Sequence, residues 1–429
     1  MRRTYLSRVT HRPVTAMASL AIACLATSSV SAGSSPDEAT FAARLDRART
    51  TLRVDATGLH GPGAELLADG IAQSRYVLIG EDHLSREIPQ FTTGVCRLMA
   101  PGGLDAFAVE IGPEAAGVVN QDLRRPDRIT RLGAFMRAHP DAFAFQNGRD
   151  ESDMAADCAR LGGPRFRMWG LDQEFFGASG YLFERMVAAR PGPAARAVID
   201  RFVTADRAAT AKALASGSPG DLFLYAVTDQ QLAEAQSAIA RDGGDRVKQL
   251  FAALVTTRAI YRGQNTDGVA SNRQRSLLMK RTLAAYLAAR PPSARMLFKF
   301  GDVHMAKGVN ALGQRDLGNY VAERAEGAGA ASLHIAVYGA GGVHALYGGV
   351  GRQVRHEPFV VTDDADYAWL KDALPPHVRD GQDWILLDLR PFRGRAAADM
   401  SAAWRRTVER YDMVVVAPSL TPSTLVGAR

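Results

Sequence analysis

The chain has 429 residues, of which 47% are apolar, 23% charged and 7% aromatic. This globular composition excludes a long disordered protein, a collagen-like fibre and a multi-span membrane protein. The formal net charge is +7, but Arg2, Arg3, Arg8 and Arg12 lie in an N-terminal segment that looks removable, and the remainder carries only +3. That excess is too small to indicate a nucleic-acid partner.

The N-terminus has the pattern of a secretory signal. Arginines lead into an apolar stretch at 16–26, which is too short to span a membrane, and residues 30–32 offer a small-residue cleavage site. We therefore predict a signal peptide over residues 1–32 and an exported protein, periplasmic or secreted, without a transmembrane span. A weak version of the box that precedes lipid-modified cysteines makes a lipid anchor at Cys24 the alternative.

Two further cysteines, Cys96 and Cys158, lie in helix-like segments. One disulfide between them is possible in an oxidising compartment, and two buried free thiols are the alternative. Their number excludes a zinc site made of cysteines.

The repeated alternation of apolar runs and helical stretches predicts an α/β fold with a mostly parallel central sheet and helices on both faces. We expect a lead-in helix or linker over residues 33–70 and a single domain over 71–429. Helical periodicity from about 182 to 290 predicts an inserted helical layer that forms a lid or one wall of a pocket. The strand-like runs are 76–79, 106–109, 166–169, 296–300, 333–338, 384–387 and 413–416.

Acidic or histidine residues follow four of these runs. In a parallel α/β sheet ligands bind beyond the carboxyl ends of the strands, so these side chains are expected to converge on one crevice. Two imidazoles and several carboxylates there suit a general base or a metal ion. The residues are Glu81, Asp82 and His83 after the first run, Glu110 after the second, Asp172 and Glu174 after the third, and Asp302 and His304 after the fourth.

Some of these residues have competing interpretations. Glu87 follows His83 by four residues, so on a starting helix it would share a face with the imidazole and orient it; otherwise it is a solvated acid at a helix start. Asp172, Glu174 and Asp302 are candidate substrate-binding residues, and one of the first two is expected to pair with an arginine instead.

Features outside the four runs favour structural roles. We expect His344 to lie in a loop and the arginines of the inserted layer to form a solvated face. The sequence contains no Walker A motif, dinucleotide fingerprint, His-Glu-x-x-His motif or nucleophile elbow.

Taken together, the motifs resemble the erythromycin esterase-like proteins over roughly residues 70–425. The wider superfamily includes the ChaN-like haem-binding lipoproteins and the Tiki/TraB metallopeptidases. The hallmark of this superfamily is a pair of Gly-x-x-His motifs, which residues 80–83 and 301–304 match. The spacing Gly-Glu-x-His and the glycine at Gly301 are closer to the Tiki and ChaN pattern than to the esterases. The motifs that carry the resemblance are 78–83 with Glu87, 109–110, 170–172, 301–304, 387–390 and 411–416.

The resemblance implies roles for four residues. His83 becomes a general base that activates a water, Glu81 and Glu110 hold or polarise it, and His304 completes the site. If the Tiki pattern governs, the same four residues ligate a divalent ion such as zinc, manganese or cobalt, with one position open for water. A ChaN-like protein would bind haem instead, with His304 or Met305 as a spare axial ligand; a site without any cofactor is the third option.

These expectations define two alternative functions. The first is an exported hydrolase that cleaves an ester, lactone or amide in a small-molecule or peptide substrate by a histidine- or metal-activated water. The second is a haem- or metal-binding cell-envelope protein of ChaN type without turnover.

Overall fold

The computed structural model of the chain describes residues 40–394 and 399–428. The predicted signal peptide at 1–32, and with it Cys24, lies outside the described residues. Within the described ranges, no helix is long and apolar enough to cross a membrane.

The described strands form one nine-stranded sheet and a separate two-stranded hairpin. The sheet order is β2-β1-β10-β11-β7-β3-β6-β4-β5, and β8 pairs with β9 in the hairpin. In chain order the strands are β1 (Arg49–Asp55), β2 (Gly58–His60), β3 (Tyr76–Glu81), β4 (Ala106–Val109), β5 (Arg167–Gly170), β6 (Met296–Gly301), β7 (Ser332–Gly339), β8 (Gly341–Leu346), β9 (Arg355–Val360), β10 (Trp384–Asp388) and β11 (Met413–Ala417).

The sheet is mostly parallel, which confirms the predicted fold class. Neighbouring strands run parallel from β11 through β7, β3, β6 and β4 to β5, whereas β10, β1 and β2 are antiparallel additions at one edge. Each of the seven predicted runs coincides with a strand of this sheet. The runs are almost entirely apolar because helices cover both faces of the parallel strands.

The N-terminal segment differs from the predicted lead-in helix or linker. Residues 41–72 form helix, strand, strand and helix, and β1 pairs with β10 from Arg49 opposite Leu387 to Leu52 opposite Trp384. The sequence did not predict β1 because Leu52 is its one fully buried side chain. A strand near the sheet edge with a single buried side chain lacks the apolar run that reveals a central strand.

Helices flank the sheet and form the inserted layer. In chain order they are α1 (Phe41–Ala48), α2 (Pro62–Ala72), α3 (Glu87–Met99), α4 (Pro113–Asp122), α5 (Arg128–Ala138), α6 (Arg149–Leu161), α7 (Ser179–Ala188), α8 (Pro193–Ser216), α9 (Phe223–Ala226), α10 (Asp229–Asp242), α11 (Gly244–Gly263), α12 (Gly268–Ala288), α13 (Asp302–Met305), α14 (Leu317–Gly327) and α15 (Ala402–Arg410).

Alternate side chains of the parallel strands face opposite helical layers, as the two-residue period of a strand requires. Val77 of β3 belongs to the same apolar core as Phe91 of α3. The next residue, Leu78, belongs to a core on the other face with Leu283 of α12 and Val321 of α14. Helices α7 to α12 account for the predicted inserted layer, and α12 is the one that reaches this second face.

Cys96 and Cys158 form a disulfide between α3 and α6. Both residues are fully buried, and the bond joins positions 62 residues apart. In the chain-entropy model a closed loop of that length stabilises the fold by about 4 kcal/mol.

Candidate functional site

The candidate site lies beyond the carboxyl ends of four adjacent parallel strands, β3, β6, β4 and β5. Glu81 is the last residue of β3, and Glu110 directly follows β4. His304 lies on the short helix α13, which begins where β6 ends. Because these strands are neighbours in the sheet, side chains that are far apart in sequence meet at one edge.

His83 lies between two buried carboxylates. Its Nδ1 atom is 2.9 Å from Oε1 of Glu81, and its Nε2 atom is 3.2 Å from Oε2 of Glu110. The His83 side chain is 21% exposed, whereas those of Glu81 and Glu110 are 2% and 5% exposed. The imidazole therefore closes over the carboxylates and is the solvent-facing member of the group.

Each of these carboxylates also forms an ion pair with a basic side chain. Lys299 of β6 is fully buried, and its Nζ atom contacts Oε1 of Glu81. Arg275 of α12 donates from Nη2 to Oε1 of Glu110 at 2.6 Å and from Nε to Oδ1 of Asp172 at 3.0 Å. Sequence reasoning missed both cations, because Lys299 is the one charge inside an apolar strand and Arg275 lies in the helical layer whose arginines were expected to be solvated.

His304 is oriented by a residue that was also missed. Its Nδ1 atom is 2.9 Å from Oδ2 of Asp316, which precedes α14 and caps that helix. Its Nε2 atom is 3.6 Å from Oε1 of Glu110. An aspartate directly before a helical stretch is a common cap, and this pattern was the available signal that Asp316 has a fixed position.

The charges around His83 favour its protonated form. Burial lowers the pKa of His83, but the Glu110 and Glu81 carboxylates outweigh burial and raise that pKa to about 10. Burial raises the pKa of Glu110, whereas the imidazoles of His83 and His304 and the Arg275 guanidinium hold it well below its usual value. At neutral pH the resting site therefore contains an imidazolium between two ionised carboxylates.

Glu87 does not orient the imidazole, contrary to one interpretation of the sequence. Helix α3 begins at Glu87 itself, so the four-residue spacing from His83 does not fall on one helix. The Glu87 carboxylate instead accepts hydrogen bonds from the backbone N–H and the hydroxyl of Thr421, at 2.8 and 2.6 Å. Glu87 therefore links the start of α3 to the C-terminal segment.

The two carboxylates after β5 have different surroundings. Asp172 pairs with Arg275, as expected for one of the two. Glu174 is 1% exposed and accepts hydrogen bonds from the Tyr181 hydroxyl and from the backbone N–H groups of Glu114 and Ala115. The Glu174 carboxylate is therefore occupied by the first turn of α4 and by Tyr181, and it lines neither of the cavities at His83.

Asp302, a candidate substrate-binding residue, lines a cavity and is held by tyrosines. Its Oδ2 atom accepts hydrogen bonds from Tyr338 at 3.1 Å and Tyr367 at 3.3 Å. His344 lies on strand β8 and not in a loop, and its Nε2 atom is 3.1 Å from Oδ2 of Asp82. This contact joins the β8–β9 hairpin to the end of β3.

Two cavities meet at the cluster. The polar cavity, about 1180 Å³, lies under the β8–β9 hairpin. The aromatic chamber, about 650 Å³, lies against the inserted helices. Residues that line both cavities are His83, Glu110, Val303 and His304. The histidine–carboxylate group is therefore accessible from two sides.

The four residues considered as metal ligands do not fit a metal ion. Both ring nitrogens of His83 contact carboxylates, and those carboxylates already face Lys299 and Arg275. A divalent ion would add charge beside two fixed cations. Among the described residues, no group of three or more His, Cys, Asp and Glu side chains is arranged to hold a metal ion.

The residues considered as haem ligands do not fit that role either. Met305 is fully buried in the core against β6 and α14, so its sulfur does not face a cavity. His304 is 4% exposed, and its two ring nitrogens face Asp316 and Glu110. To bind haem iron as an axial ligand, His304 would therefore have to release Asp316 or Glu110.

Solved structures with the same fold include an erythromycin esterase. A mutant of the erythromycin esterase EreC in its open conformation superposes with a TM-score of 0.59 and 15% identity, covering 88% of this chain and 99% of that chain. A succinoglycan biosynthesis protein gives 0.54 and 13%, covering 88% and 96%. A protein from Bacillus cereus gives 0.55 and 11%, covering 90% and 98%.

These likenesses confirm that the chain has the erythromycin esterase-like fold. No protein-family model matches the sequence. A search of curated proteins gives no match.

Proposed function

We propose that the protein is a hydrolase that cleaves an ester, lactone or amide with a water activated by His83. The observation that carries this proposal is the position of the His83–Glu110 pair, which lies where the two cavities meet. A substrate that extends into both cavities would place its central bond at this pair. The erythromycin esterase among the structures of the same fold supports the same reaction class.

The chemistry follows from the two protonation states of His83. The neutral imidazole keeps its Nδ1 proton toward Glu81 and takes a proton from water at Nε2, which exchanges its contact with Glu110 for the water, as the water oxygen bonds to the substrate carbonyl carbon. The imidazolium then gives that proton to the departing oxygen or nitrogen as its bond to the carbonyl carbon breaks. Glu81 and Glu110 stabilise the imidazolium between these steps, and Glu81 fixes the ring through Nδ1.

Arg275 and Lys299 keep this arrangement in place. A carboxylate buried without a partner would take up a proton and lose its effect on His83. Each of the two carboxylates has its own cation, Lys299 for Glu81 and Arg275 for Glu110. We assign both cations positioning roles, because they contact the carboxylates and not the imidazole.

The test is hydrolysis of a panel of neutral chromogenic esters by the purified protein and two variants. Compared at the pH optimum of each protein, we expect His83→Ala and Glu110→Gln to lose activity by about 100-fold or more, the usual contribution of general acid–base catalysis. His377→Ala is the matched control, because that histidine is 86% exposed, pairs with Asp380 at 3.4 Å and lines neither cavity. Equal rates for wild type and His83→Ala would overturn the proposal.

We also propose that the protein is exported. The buried disulfide between Cys96 and Cys158 supports export, since such bonds persist in oxidising compartments and are rare in the cytosol. Cell fractionation with N-terminal sequencing tests this, with a mature N-terminus after Ala32 as the expected result. A cytoplasmic protein that retains Met1 would contradict it, and a lipid on Cys24 would identify the anchored alternative.

A further inference from the structure

The aromatic chamber is lined by rings from four separate segments of the chain. They come from the segment before α6, from the turn after β5, from α9 and from α11. The rings belong to Phe143, Phe145, Phe175, Phe176, Tyr225 and Tyr261.

Several of these rings keep an open face toward the cavity. Phe145, Phe175, Tyr225 and Tyr261 are half-buried, unlike the fully covered aromatic residues of the core. The rings also contact one another: the Phe175 and Phe176 centroids are 3.9 Å apart, and those of Phe176 and Tyr261 are 5.6 Å apart. The chamber wall therefore presents a connected aromatic surface.

Phe145 is a ring of the chamber wall that contacts His83 directly. Its ring stacks on the His83 imidazole, with centroids 3.8 Å apart and an angle of 14° between the planes. The backbone of Phe145 has φ = +62°, a left-handed conformation that costs a non-glycine residue about 1–2 kcal/mol. Such strain persists where the surrounding structure enforces it, and it clusters at functional sites.

The polar cavity on the other side of His83 has a different lining. Its part below the hairpin carries charged side chains beside apolar and aromatic ones such as Val360 and Phe359. The charged side chains include Asp82, Asp302, Arg355, Glu357, Asp363 and Arg379. A ligand that spans both cavities therefore meets an aromatic wall on one side of His83 and a wall that carries charged side chains on the other.

We propose that the substrate is an ester or amide with an aromatic ring group on one side of the cleaved bond, and that this ring occupies the aromatic chamber. Aromatic rings favour offset-stacked or edge-to-face contacts with other rings, which the chamber offers on several sides. The volume of about 650 Å³ lies within the range of small-molecule sites. This inference rests on the proposed hydrolase activity and names the class of its substrate.

The kinetic test uses three acetate esters of increasing match to the chamber: ethyl, 2-cyclohexylethyl and 2-phenylethyl acetate. We expect kcat/KM to be highest for the phenyl ester, at least about threefold above the cyclohexyl ester, which is similarly apolar but not planar. Tyr261→Leu and Phe176→Leu should each reduce the phenyl-to-ethyl ratio of kcat/KM about tenfold. A ratio that does not change in either variant would overturn the proposal.

Phe202→Leu is the matched control, because it removes a buried ring from the inserted layer that packs on Phe183 and Phe223 and lines neither cavity at His83. It should keep the phenyl-to-ethyl ratio of the wild type. A fall in that ratio equal to the one in Tyr261→Leu would mean that any lost ring in the inserted layer rearranges the site, and would overturn the assignment of the chamber.

A binding measurement separates this inference from the proposed activity. Titration calorimetry with the neutral alcohols 2-phenylethanol and 2-cyclohexylethanol requires no turnover. Tighter binding of the phenyl alcohol, weakened in Tyr261→Leu, supports the chamber even if no ester is cleaved, in which case the proposed hydrolase activity alone fails. Equal binding of the two alcohols by the wild type would overturn the inference, whatever the esters show.

Discussion

Two clusters of histidine, carboxylate and basic residues lie in this sheet, and they differ in how their charges are arranged. The first surrounds His83 beyond the end of β3. The second surrounds His334 near the start of β7, where Asp412 pairs with Lys307 and Arg393 at 2.9 and 2.6 Å. Both contain the residue types that sequence reasoning associates with catalysis.

The pKa values of His83 and His334 are shifted in opposite directions. Burial lowers the pKa of His334 to about 3, and the charges of Lys307 and Arg393 add to that effect while Asp412 opposes it. In the His83 cluster the carboxylates outweigh burial and raise the pKa to about 10. His334 is fully buried and hydrogen-bonds through Nδ1 to the Met305 carbonyl, so it has no access to substrate. The comparison shows that exposure to a cavity and carboxylate contacts, and not residue composition, distinguish the candidate site.

The largest expected effect follows from Glu110→Gln. The substitution keeps the side-chain shape but removes the charge 3.2 Å from Nε2 of His83. Compared at the pH optimum of each protein, so that His83 is neutral in both, we expect ester hydrolysis to fall by about 100-fold or more. NMR titration of the imidazole should show a lower pKa for His83 and an unchanged pKa for His334. Full activity in Glu110→Gln would remove the basis for calling the first cluster catalytic.

The next effect is on stability and compares the buried lysine of each cluster. Lys299→Met removes the buried lysine that pairs with Glu81 and leaves the His83 imidazolium as the remaining cation at this carboxylate, and we expect a loss of about 3–5 kcal/mol in the free energy of unfolding by urea. Lys307→Met should cost less, since the Lys307 side chain is 23% exposed whereas that of Lys299 is 1% exposed, and Asp412 retains Arg393. The double variant Lys299→Met/Glu81→Gln should recover part of the loss. A greater cost for Lys307→Met would reverse this ranking of the clusters.

The sequence predicted the parallel strands and the positions of Glu81, His83, Glu110 and His304 because polar residues follow long apolar runs, and this pattern depends on local sequence alone. It did not predict the supporting residues, because their partners are distant in the chain. Arg275 contacts Asp172 from a helix 103 positions away. Lys299 meets Glu81 only because β6 lies beside β3, an order that apolar periodicity does not encode.

Stability against pH should separate the two histidines. The pKa of His83 is raised on folding, so its stabilising contribution is present below the ordinary value of 6.5 and is lost as pH rises toward 10. The pKa of His334 is lowered, so its contribution is present above 6.5 and is lost as pH falls toward 3. Relative to wild type, His83→Gln should flatten the alkaline part of the stability profile and His334→Gln the acid part.

The same titration of His83 makes a kinetic prediction. Because the neutral imidazole takes the proton from water, kcat/KM should rise with pH above neutrality, with a midpoint near pH 10, and level off only above that midpoint. His334→Gln should keep the midpoint of this profile, provided that the variant is folded at each pH. A midpoint near 6.5 would show that the two carboxylates do not hold the His83 proton, and would contradict the charge balance described for the site.

The smallest expected effect is that of metal removal. Lys299 and Arg275 already neutralise the carboxylates that a divalent ion would need, so prolonged chelation followed by buffer exchange should change ester hydrolysis by less than about twofold. Elemental analysis before and after chelation is the accompanying measurement.

A large loss of activity, restored by zinc, manganese or cobalt and accompanied by about one metal ion per chain, would mean that Lys299 and Arg275 move away from the carboxylates in solution. Lys299→Met would then be expected to strengthen metal binding, since the competing positive charge is removed. If chelation has no effect on the wild type or on Lys299→Met, then Lys299 and Arg275 supply the positive charge that a metal ion supplies in other hydrolases.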